Sequence, residues 1–463
     1  QNTTGNVLQQ LGRVEEALVY FRKAIENDAH FAKAHSNLLL ALNYVPHIDP
    51  NEIFTEHVQF QKMHADKVSP LNIRTISRRA PSKKLKIGIL SSDLRDHSVA
   101  YFLLPLLENI RKEHFALFFY YNGHKEDEMT ASFRETSSGW FCCDDMSDCE
   151  LAGKIRDDGI DILLELNGHT RGSRLLACAR KPAPIIVSWL GYPNTTGMEA
   201  VDYRIVDSVT DPVGQAAKCH SEKLIRLSEG FLCFRPPIPA DELSVSPSPV
   251  LGNGHVTFGS FNNLAKISHL NVRVWCEVMQ SVPDAKLILK SSRLVAPEAF
   301  SGICTLFEGC GVDTERIEIL ERTPSKKAHL ELYGGIDIAL DTYPYHGTTT
   351  TCEALWMGVP VVTLSGDRHV SRVSSSLLSR LGLRNLVGQT AEDYTRISVD
   401  LANNTERLCN LRSSMRKRMK QSSLRNETAQ ARALEMALRK MWRIWCAGQT
   451  PRSFTVEGAN EKQ

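Results

Sequence analysis

The sequence predicts an α/β fold of two Rossmann-like domains facing a cleft, preceded by an α-helical repeat segment. Short apolar runs of strand length alternate with helical segments over residues 85–235, and the alternation resumes over 255–425. The intervening residues 234–255 are rich in Pro, Ser and Gly, as in an interdomain linker. Residues 1–44 show helical periodicity only. Strands that alternate with helices imply right-handed crossovers, and therefore two doubly wound parallel sheets.

Residues 1–68 are predicted to form a tetratricopeptide remnant and a linker helix over 50–67. Small and large residues are spaced as in a tetratricopeptide unit, whose period is about 34 residues, at Gly5, Leu8, Gly12, Ala17, Phe21 and Ala24. A second unit begins near Ala32. An ordinary helical hairpin is the alternative. Because such units bury their apolar faces against neighbours, we expect further repeats before Gln1.

The first Rossmann-like domain is predicted over 85–235, after a polar linker at 69–84. Its predicted elements are strand 85–90, helix 99–110, strand 115–121, helix 151–157 and strands 160–166 and 185–190. The second domain is predicted over 255–425, and a C-terminal helix and tail follow over 426–463. Their predicted elements are strand 256–261, helix 272–279, strand 286–290, helix 300–310, strands 317–320, 336–340 and 361–364, and helices from near Thr350, over 373–381 and over 427–446. Two halves of similar size around a cleft form the GT-B layout typical of nucleotide-sugar glycosyltransferases, although a fold alone does not determine chemistry.

Composition excludes several classes of protein. A formal net charge of +2 gives no reason to expect nucleic acid or an anionic membrane as a partner. No apolar run is long enough for a membrane span, and no signal peptide is present. The twelve cysteines are scattered without metal-ligand spacing, so we expect reduced thiols, no metal site, and a cytoplasmic or nuclear location, cytoplasmic if the source is bacterial.

The most informative stretch follows the predicted strand 336–340. It contains four consecutive threonines at 348–351, a helix start, and a Gly-Val-Pro turn into another apolar strand. In an open parallel sheet, ligands bind beyond the carboxyl ends of the strands, where hydroxyls, backbone N–H groups and a helix N-terminus converge. This loop therefore predicts a phosphate cradle, with Glu353 placed to accept the hydroxyls of a ribose. The alternative is that the threonines simply cap the helix.

Two further loops offer polar chemistry. No Gly-x-Gly-x-x-Gly or Walker A motif is present, which disfavours a dehydrogenase or an ATPase. Asp93 and His97 follow the first strand instead, and a carboxylate and an imidazole can both move protons at neutral pH. In the alternative interpretation, Asp93 caps the next helix and His97 packs beneath it. Lys266 follows the strand 256–261 and could neutralise a diphosphate leaving group.

Three segments carry a family resemblance: 189–197 (Trp-Leu-Gly-Tyr-Pro-Asn-Thr-Thr-Gly), 258–267 (Phe-Gly-Ser-Phe-Asn-Asn-Leu-Ala-Lys-Ile) and 341–360. They resemble the intracellular protein O-GlcNAc transferase family, most closely its SPINDLY-type branch, over nearly the whole chain. The resemblance implies a metal-independent glycosyltransferase that uses a nucleotide-diphosphate sugar to modify Ser or Thr of proteins bound through the repeats. The leading hypothesis is inverting transfer from UDP-GlcNAc; homo-oligomerisation is left open.

The resemblance also implies roles for individual residues. For donor binding it indicates Lys266, the phosphate-binding Thr349 and Thr350, Glu353 at the ribose, His329 stacked on the base and Asn263 near the phosphates. Near the reaction centre it indicates Asp93, His97 and His64, and around the sugar it indicates Leu190, Gly191 and Pro193. The general base is left open among Asp93, His97 and a water chain.

Four donor-site residues depart from the animal-type pattern, and they are Asn263, Thr348, His169 and Glu353 in place of Gln, His, Tyr and Asp. Some SPINDLY-type proteins use GDP-fucose, so the alternative donor is GDP-fucose and the alternative activity is protein O-fucosylation. A non-catalytic tetratricopeptide scaffold is disfavoured by the intact Lys266 and threonines. A small-molecule glycosyltransferase or epimerase is disfavoured by the repeat segment, which a small acceptor does not need.

Overall fold

The computed structural model describes residues 1–71, 79–291 and 297–458. These residues form two units. We call the first the N-sheet unit; it comprises Ala24–Leu40, Asp49–Arg235 and Asn426–Gln463. The other is the C-sheet unit, which comprises Gln1–Lys23, Ala41–Ile48 and Pro236–Arg425.

Helices and strands alternate along most of the chain. The helices are α1 Asn2–Gln10, α2 Val14–Asn27, α3 Ala32–Leu42, α4 Pro50–Phe60, α5 Ser98–Asn109, α6 Glu128–Thr136, α7 Asp148–Asp157, α8 Leu175–Ala179, α9 Val250–Asn253, α10 His269–Ser281, α11 Pro297–Gly309, α12 Lys326–Glu331, α13 Thr349–Trp356, α14 Val373–Arg380, α15 Ala391–Ala402, α16 Thr405–Gln421 and α17 Glu427–Cys446. The strands are β1 Leu85–Ser91, β2 Phe115–Tyr121, β3 Gly139–Cys142, β4 Ile162–Glu165, β5 Ile185–Ser188, β6 Tyr203–Val206, β7 Lys223–Leu227, β8 Thr257–Ser260, β9 Lys286–Lys290, β10 Ile317–Leu320, β11 Ile338–Leu340, β12 Val361–Leu364, β13 Val387–Gly388 and β14 Phe454–Val456.

The N-sheet unit contains an eight-stranded parallel sheet in the order β14-β7-β6-β5-β4-β1-β2-β3. Its centre is apolar, because β1, β4 and β5 are buried along nearly their whole length. The sequence prediction missed β3, β6, β7 and β14. Two of these strands carry charged residues that are buried, Arg204 in β6 and Arg226 in β7, so they lack the continuous apolar pattern of a buried strand. Arg204 is accommodated because its guanidinium donates to the carbonyl of Tyr192 at 2.8 Å.

The C-sheet unit contains a six-stranded parallel sheet in the order β10-β9-β8-β11-β12-β13. Strand β11 begins two residues later than predicted. Asp337 lies immediately before it and accepts hydrogen bonds from the backbone N–H groups of Thr257 (2.9 Å) and Val250 (3.1 Å). The two parallel sheets confirm the predicted α/β class with two Rossmann-like halves.

The first helices of the C-sheet unit pack as the spacing of small and large residues predicts. Ala17 and Phe21 are fully buried. A Cβ atom added at Gly5 would lie 2.6 Å from the Phe21 ring, so the aromatic residue requires a glycine opposite it. Between α1 and α2, Gly12 adopts φ +80°, a conformation that L side chains rarely adopt.

Several composition-based expectations concern the whole chain. The predicted linker at 69–84 falls partly outside the described residues. Within the described part, no helix combines the length and hydropathy that a bilayer crossing requires. All twelve cysteines lie in described segments, and each is a free thiol.

Candidate active site

The threonine loop, residues 341–351, connects β11 to α13 and is folded around one buried carboxylate. Oδ1 of Asp341 accepts hydrogen bonds from the backbone N–H groups of Thr342 (2.9 Å) and Gly347 (2.8 Å). Its Oδ2 accepts from the hydroxyl of Thr363 on β12 at 2.7 Å. These bonds hold the loop against the carboxyl ends of two adjacent strands, where ligands of parallel sheets bind.

The N-terminus of α13 is not capped by its threonines. Among the described residues, the Thr348 side chain at the N-cap position makes no capping hydrogen bond, and the buried Thr349 hydroxyl has no partner. The Thr350 hydroxyl donates to Oδ1 of Asn262 at 2.9 Å. The first-turn N–H groups therefore remain available to an anion, and the alternative of routine helix capping does not describe this loop.

Lys266 brings a cation to the same loop. It lies in the 3₁₀ turn Leu264–Lys266 after β8, and its Nζ donates to the carbonyl of His346 at 2.8 Å. The ammonium also lies 4.3 Å from the centroid of the Tyr345 ring. Burial lowers the pKa of Lys266 to about 8, against the opposing influence of the Asp341 carboxylate. The amine and the threonine loop are thus neighbours, as the sequence predicted.

Two consecutive asparagines follow β8, and they differ in their contacts. Asn263, which the family resemblance indicated, is exposed, and its side chain accepts from the N–H of Ala265 at 3.1 Å. Asn262 is buried and bonds Thr350. Sequence reasoning did not select Asn262, although it stands in the same motif. The assignment of Asn263 to the phosphates stays a prediction.

A chain of three side chains links β9, α12 and α13. Nζ of Lys290 lies 2.7 Å from Nδ1 of His329, and Nε2 of His329 lies 3.1 Å from Oε2 of Glu353. An ammonium can only donate, so Nδ1 accepts and Nε2 carries the proton that Glu353 receives as a hydrogen bond. Burial lowers the pKa of Lys290, while Glu353 opposes this effect. The predicted base-stacking and ribose-binding residues are therefore directly bonded to each other, and sequence reasoning missed Lys290.

In the N-sheet unit, Asp93 and His97 lie together after β1. Oδ2 of Asp93 accepts from the Asn167 amide at 3.0 Å, and its Oδ1 lies 3.8 Å from Nδ1 of His97. His97 itself caps α5, because its Nδ1 accepts from the N–H of Val99 at 3.3 Å. The alternative in which Asp93 caps this helix is therefore incorrect. Burial is the largest influence on His97 and lowers its pKa.

His64 and His169 lie in a second, buried group of rings. His64 belongs to the π-helical turn Gln61–Ala65, and its Nε2 lies 3.1 Å from Nδ1 of His35. Nε2 of His169 donates to the carbonyl of Thr196 at 2.8 Å, and its Nδ1 accepts from the Ser36 hydroxyl at 3.0 Å. Burial lowers the pKa of His64 to about 4, so its imidazole is neutral at pH 7.

This arrangement bears on the role predicted for His169. Its side chain is fully buried and both ring nitrogens are bonded within the protein. His169 therefore supports the loop beside it, and a donor contact through either nitrogen would require one of these bonds to break.

The loop 189–197 is held in an uncommon backbone conformation. Leu190 adopts φ +61°, which is rare for a residue with a side chain and recurs at functional sites. A Cβ added at Gly191 would lie 1.8 Å from the carbonyl oxygen of Leu166, so only glycine fits there. Buried Glu222 accepts from the hydroxyl of Thr195 at 2.6 Å. Leu190, Gly191 and Pro193 are each partly exposed, as a pocket lining requires.

The predicted residues thus fall into distinct groups within each unit. The C-sheet unit joins Lys266 with the threonine loop, and Glu353 with His329; the N-sheet unit joins Asp93 with His97. Over residues 1–71, 79–291 and 297–458, no group of three or more His, Cys, Asp or Glu side chains is placed to hold a metal ion.

Comparison with known proteins identifies the family. The model of glycosyl transferase family 41 matches residues 51–234 and 246–434. SPINDLY of Arabidopsis thaliana, a probable UDP-N-acetylglucosamine–peptide N-acetylglucosaminyltransferase, is 38% identical over 432 residues, which cover 92% of this chain and 46% of that protein. The SEC protein of the same organism, which carries the same description, is 30% identical over 82% of this chain and 39% of its own length. The chain spans about half the length of the curated relatives it matches.

A solved structure extends this similarity to three dimensions. A mutant of Thermobaculum terrenum O-GlcNAc transferase superposes with a TM-score of 0.91 at 37% sequence identity, covering 96% of this chain and 84% of that one. The family match and these similarities cover both parallel sheets and the loops described above. The chain belongs to glycosyl transferase family 41.

Proposed function

We propose that this chain is an inverting protein O-glycosyltransferase that transfers N-acetylglucosamine from UDP-GlcNAc to Ser or Thr hydroxyls. The observation that carries the proposal is the pairing of Lys266 with the threonine loop. A desolvated amine, the N–H groups of an uncapped helix and an unpartnered hydroxyl meet beyond the ends of parallel strands. Together they form an anion site suited to a pyrophosphate.

The chemistry follows from the charge that develops at this anion site. The acceptor oxygen attacks the anomeric carbon from the face opposite the diphosphate, a new C–O bond forms, and the bond to the phosphate oxygen breaks. The bonding electrons pass to the diphosphate, whose added charge Lys266 and the threonine loop would stabilise. A preorganised donor of this kind contributes about 3–4 kcal/mol to the transition state. Lys266→Ala should therefore lower kcat by about 100- to 1000-fold.

We assign the departing hydroxyl proton to Asp93. One of its carboxylate oxygens is bonded to Asn167, and a carboxylate oxygen has a second lone pair that can accept a proton. His97 is less suited, because its Nδ1 accepts from a backbone N–H and its neutral ring therefore carries hydrogen on Nε2. Buried and neutral, His64 is bonded to His35 and serves as a structural neighbour.

The base and the sugar of the donor need a direct test. The chain Lys290–His329–Glu353 forms a platform for a nucleoside, and hydrogen bonding of this kind suits either uridine or guanosine. Thermal unfolding with UDP or GDP separates the two, since a ligand that binds only the folded state raises its stability. We expect UDP to raise the Tm and UDP-GlcNAc to support transfer to protein. Stabilisation by GDP alone, with transfer from GDP-fucose, would replace GlcNAc transfer with O-fucosylation.

Further parts of the proposal concern cofactors and partners. Lys266 and the threonine loop would supply the charge that a divalent cation supplies in many other transferases. EDTA should then leave turnover unchanged, and a loss that Mg²⁺ or Mn²⁺ restores would contradict this. We propose protein acceptors selected through the helical segment; equal turnover with a short Ser peptide and with full-length acceptor proteins would argue against that role.

A further inference from the structure

We propose that Tyr44 is a positioning residue for Lys266: it stacks on Tyr345, whose ring carries the Lys266 ammonium. This inference rests on the proposed function only for its catalytic consequence. The three side chains come from separate parts of the C-sheet unit, which are the segment after α3, the threonine loop and the turn after β8.

The contact geometry supports each link. The rings of Tyr44 and Tyr345 stack with centroids 4.8 Å apart and an interplanar angle of 22°. Nζ of Lys266 lies 4.3 Å from the centroid of Tyr345, within the distance of a cation–π interaction. A ring that is packed on one face and binds a cation with its π-system is held in place by both neighbours. Movement of Tyr44 would therefore release the ring that stabilises the ammonium.

Other contacts hold Tyr44 in position. The side chain of Gln9 on α1 hydrogen bonds to its hydroxyl, and burial raises the pKa of Tyr44 to about 12, so the phenol stays neutral. The next residue is held as well, because the carbonyl of Val45 accepts from Arg368 at 2.8 Å. The segment after α3 is thus fixed by the C-sheet unit on both sides of the Tyr44 ring.

The helical segment also contacts the turn that carries Lys266. Helix α1 packs against the turn Leu264–Lys266, and a Cβ added at Gly12 would lie 3.2 Å from Cγ of Leu264. The lysine is therefore held from two sides by residues of the repeat segment. One contact supports its backbone turn, and the other supports the aromatic ring beneath its ammonium.

Chemical reactivity of the amine tests the positioning directly. Trace acylation of the full chain, followed by mass spectrometry, gives the labelling rate of Lys266 relative to the exposed Lys417. Two ring-free variants, Tyr44→Leu and Tyr44→Met, should raise the relative rate by about 3- to 30-fold. Loss of the cation–π contact favours the neutral amine, and loosening of the ring exposes it, so both effects act in the same direction. Tyr44→Phe keeps the stacked ring and should restore the wild-type rate.

A matched control removes a tyrosine elsewhere in the same segment. Tyr20 lies on α2, where its ring contacts Lys23, and Tyr20→Leu should leave Lys266 labelling unchanged. A wild-type labelling rate in both ring-free variants would overturn the proposal, as would an equal increase in Tyr20→Leu. Circular dichroism establishes that each variant is folded before labelling.

Turnover gives the catalytic consequence. The ring-free variants should lower kcat by about 3- to 30-fold with little change in KM, because the ammonium acts mainly on the charge of the transition state. The labelling result does not depend on any donor. If no sugar nucleotide binds the wild-type chain, the proposed function fails while the labelling test still decides the positioning role.

Discussion

The low pKa of Lys266 predicts how activity depends on pH. Burial lowers this pKa to about 8 from an ordinary value of 10.5. The ammonium is the form that can stabilise the departing diphosphate, so activity should fall once the pH exceeds about 8. At pH 9 only about one amine in ten remains protonated in the free protein, and kcat/KM should fall about tenfold for each further pH unit.

Substitution of Lys266 identifies the group responsible. Lys266→Arg keeps the charge but raises the pKa beyond the accessible range, so its kcat/KM should stay level between pH 8 and 10. Its absolute activity should be lower, because the guanidinium is larger than the site built around the His346 carbonyl and the Tyr345 ring. Lys266→Met should have low activity that does not vary over the same range.

The assay is kcat/KM for the donor from pH 6 to 10, in buffers of constant ionic strength. The wild-type profile should fall above about pH 8, and neither variant should show that fall. A decline with the same midpoint in Lys266→Arg would refute the reasoning, because another group would then control the alkaline limb.

Three further predictions concern other parts of the molecule. Gly191→Ala should destabilise the chain by at least about 3 kcal/mol in denaturant unfolding, because the new Cβ would lie 1.8 Å from a backbone oxygen; Gly153→Ala on α7 has nothing within 4 Å and should be neutral or stabilising. Asp93→Asn should lower kcat by about 100- to 10,000-fold without raising the KM for the donor, and unchanged turnover would exclude Asp93 as the proton acceptor. Lys290→Met should raise the donor Kd in calorimetry by about tenfold through loss of a charge-assisted hydrogen bond to His329, and Lys290→Arg should recover part of that loss.

The lysine also predicts a pH-dependent contribution to stability. Its folded pKa lies below the unfolded value, so the unfolded chain binds more protons between about pH 8 and 10.5. Wild-type stability should rise with pH across this window relative to Lys266→Met. The change is at most about 3 kcal/mol, and about 1–2 kcal/mol after allowance for the partial exposure of the residue. Parallel pH dependence in the two proteins would contradict the assignment.

Much of the fold follows from local sequence pattern. Apolar runs such as those of β1 and β2 predict buried parallel strands, because both faces of such sheets are covered. Strands β6 and β7 escaped prediction because Arg204 and Arg226 interrupt the apolar pattern. Each arginine is buried only because distant backbone carbonyls accept its hydrogen bonds, and no local pattern reports such partners.

The candidate site was predictable where it depends on topology. Lys266 and the threonine loop each follow a strand of one parallel sheet, and β8 and β11 are neighbours in it, so proximity follows from chain order. The contacts of Lys290 with His329 and of Tyr44 with Tyr345 depend instead on side-chain packing between segments far apart in sequence. No spacing or motif encodes those contacts, and the family resemblance did not indicate them.

The most direct test of the central claim is the proton uptake that accompanies nucleotide binding. At pH 8 about half of the Lys266 amines are neutral in the free protein, and a bound pyrophosphate should protonate them. Calorimetric titration with UDP, or with GDP if that is the nucleotide bound, in buffers of different ionisation enthalpy should show uptake of about half a proton per site. Lys266→Met should show none. Binding without proton uptake in the wild type, or equal uptake in the variant, would show that the amine does not meet the diphosphate.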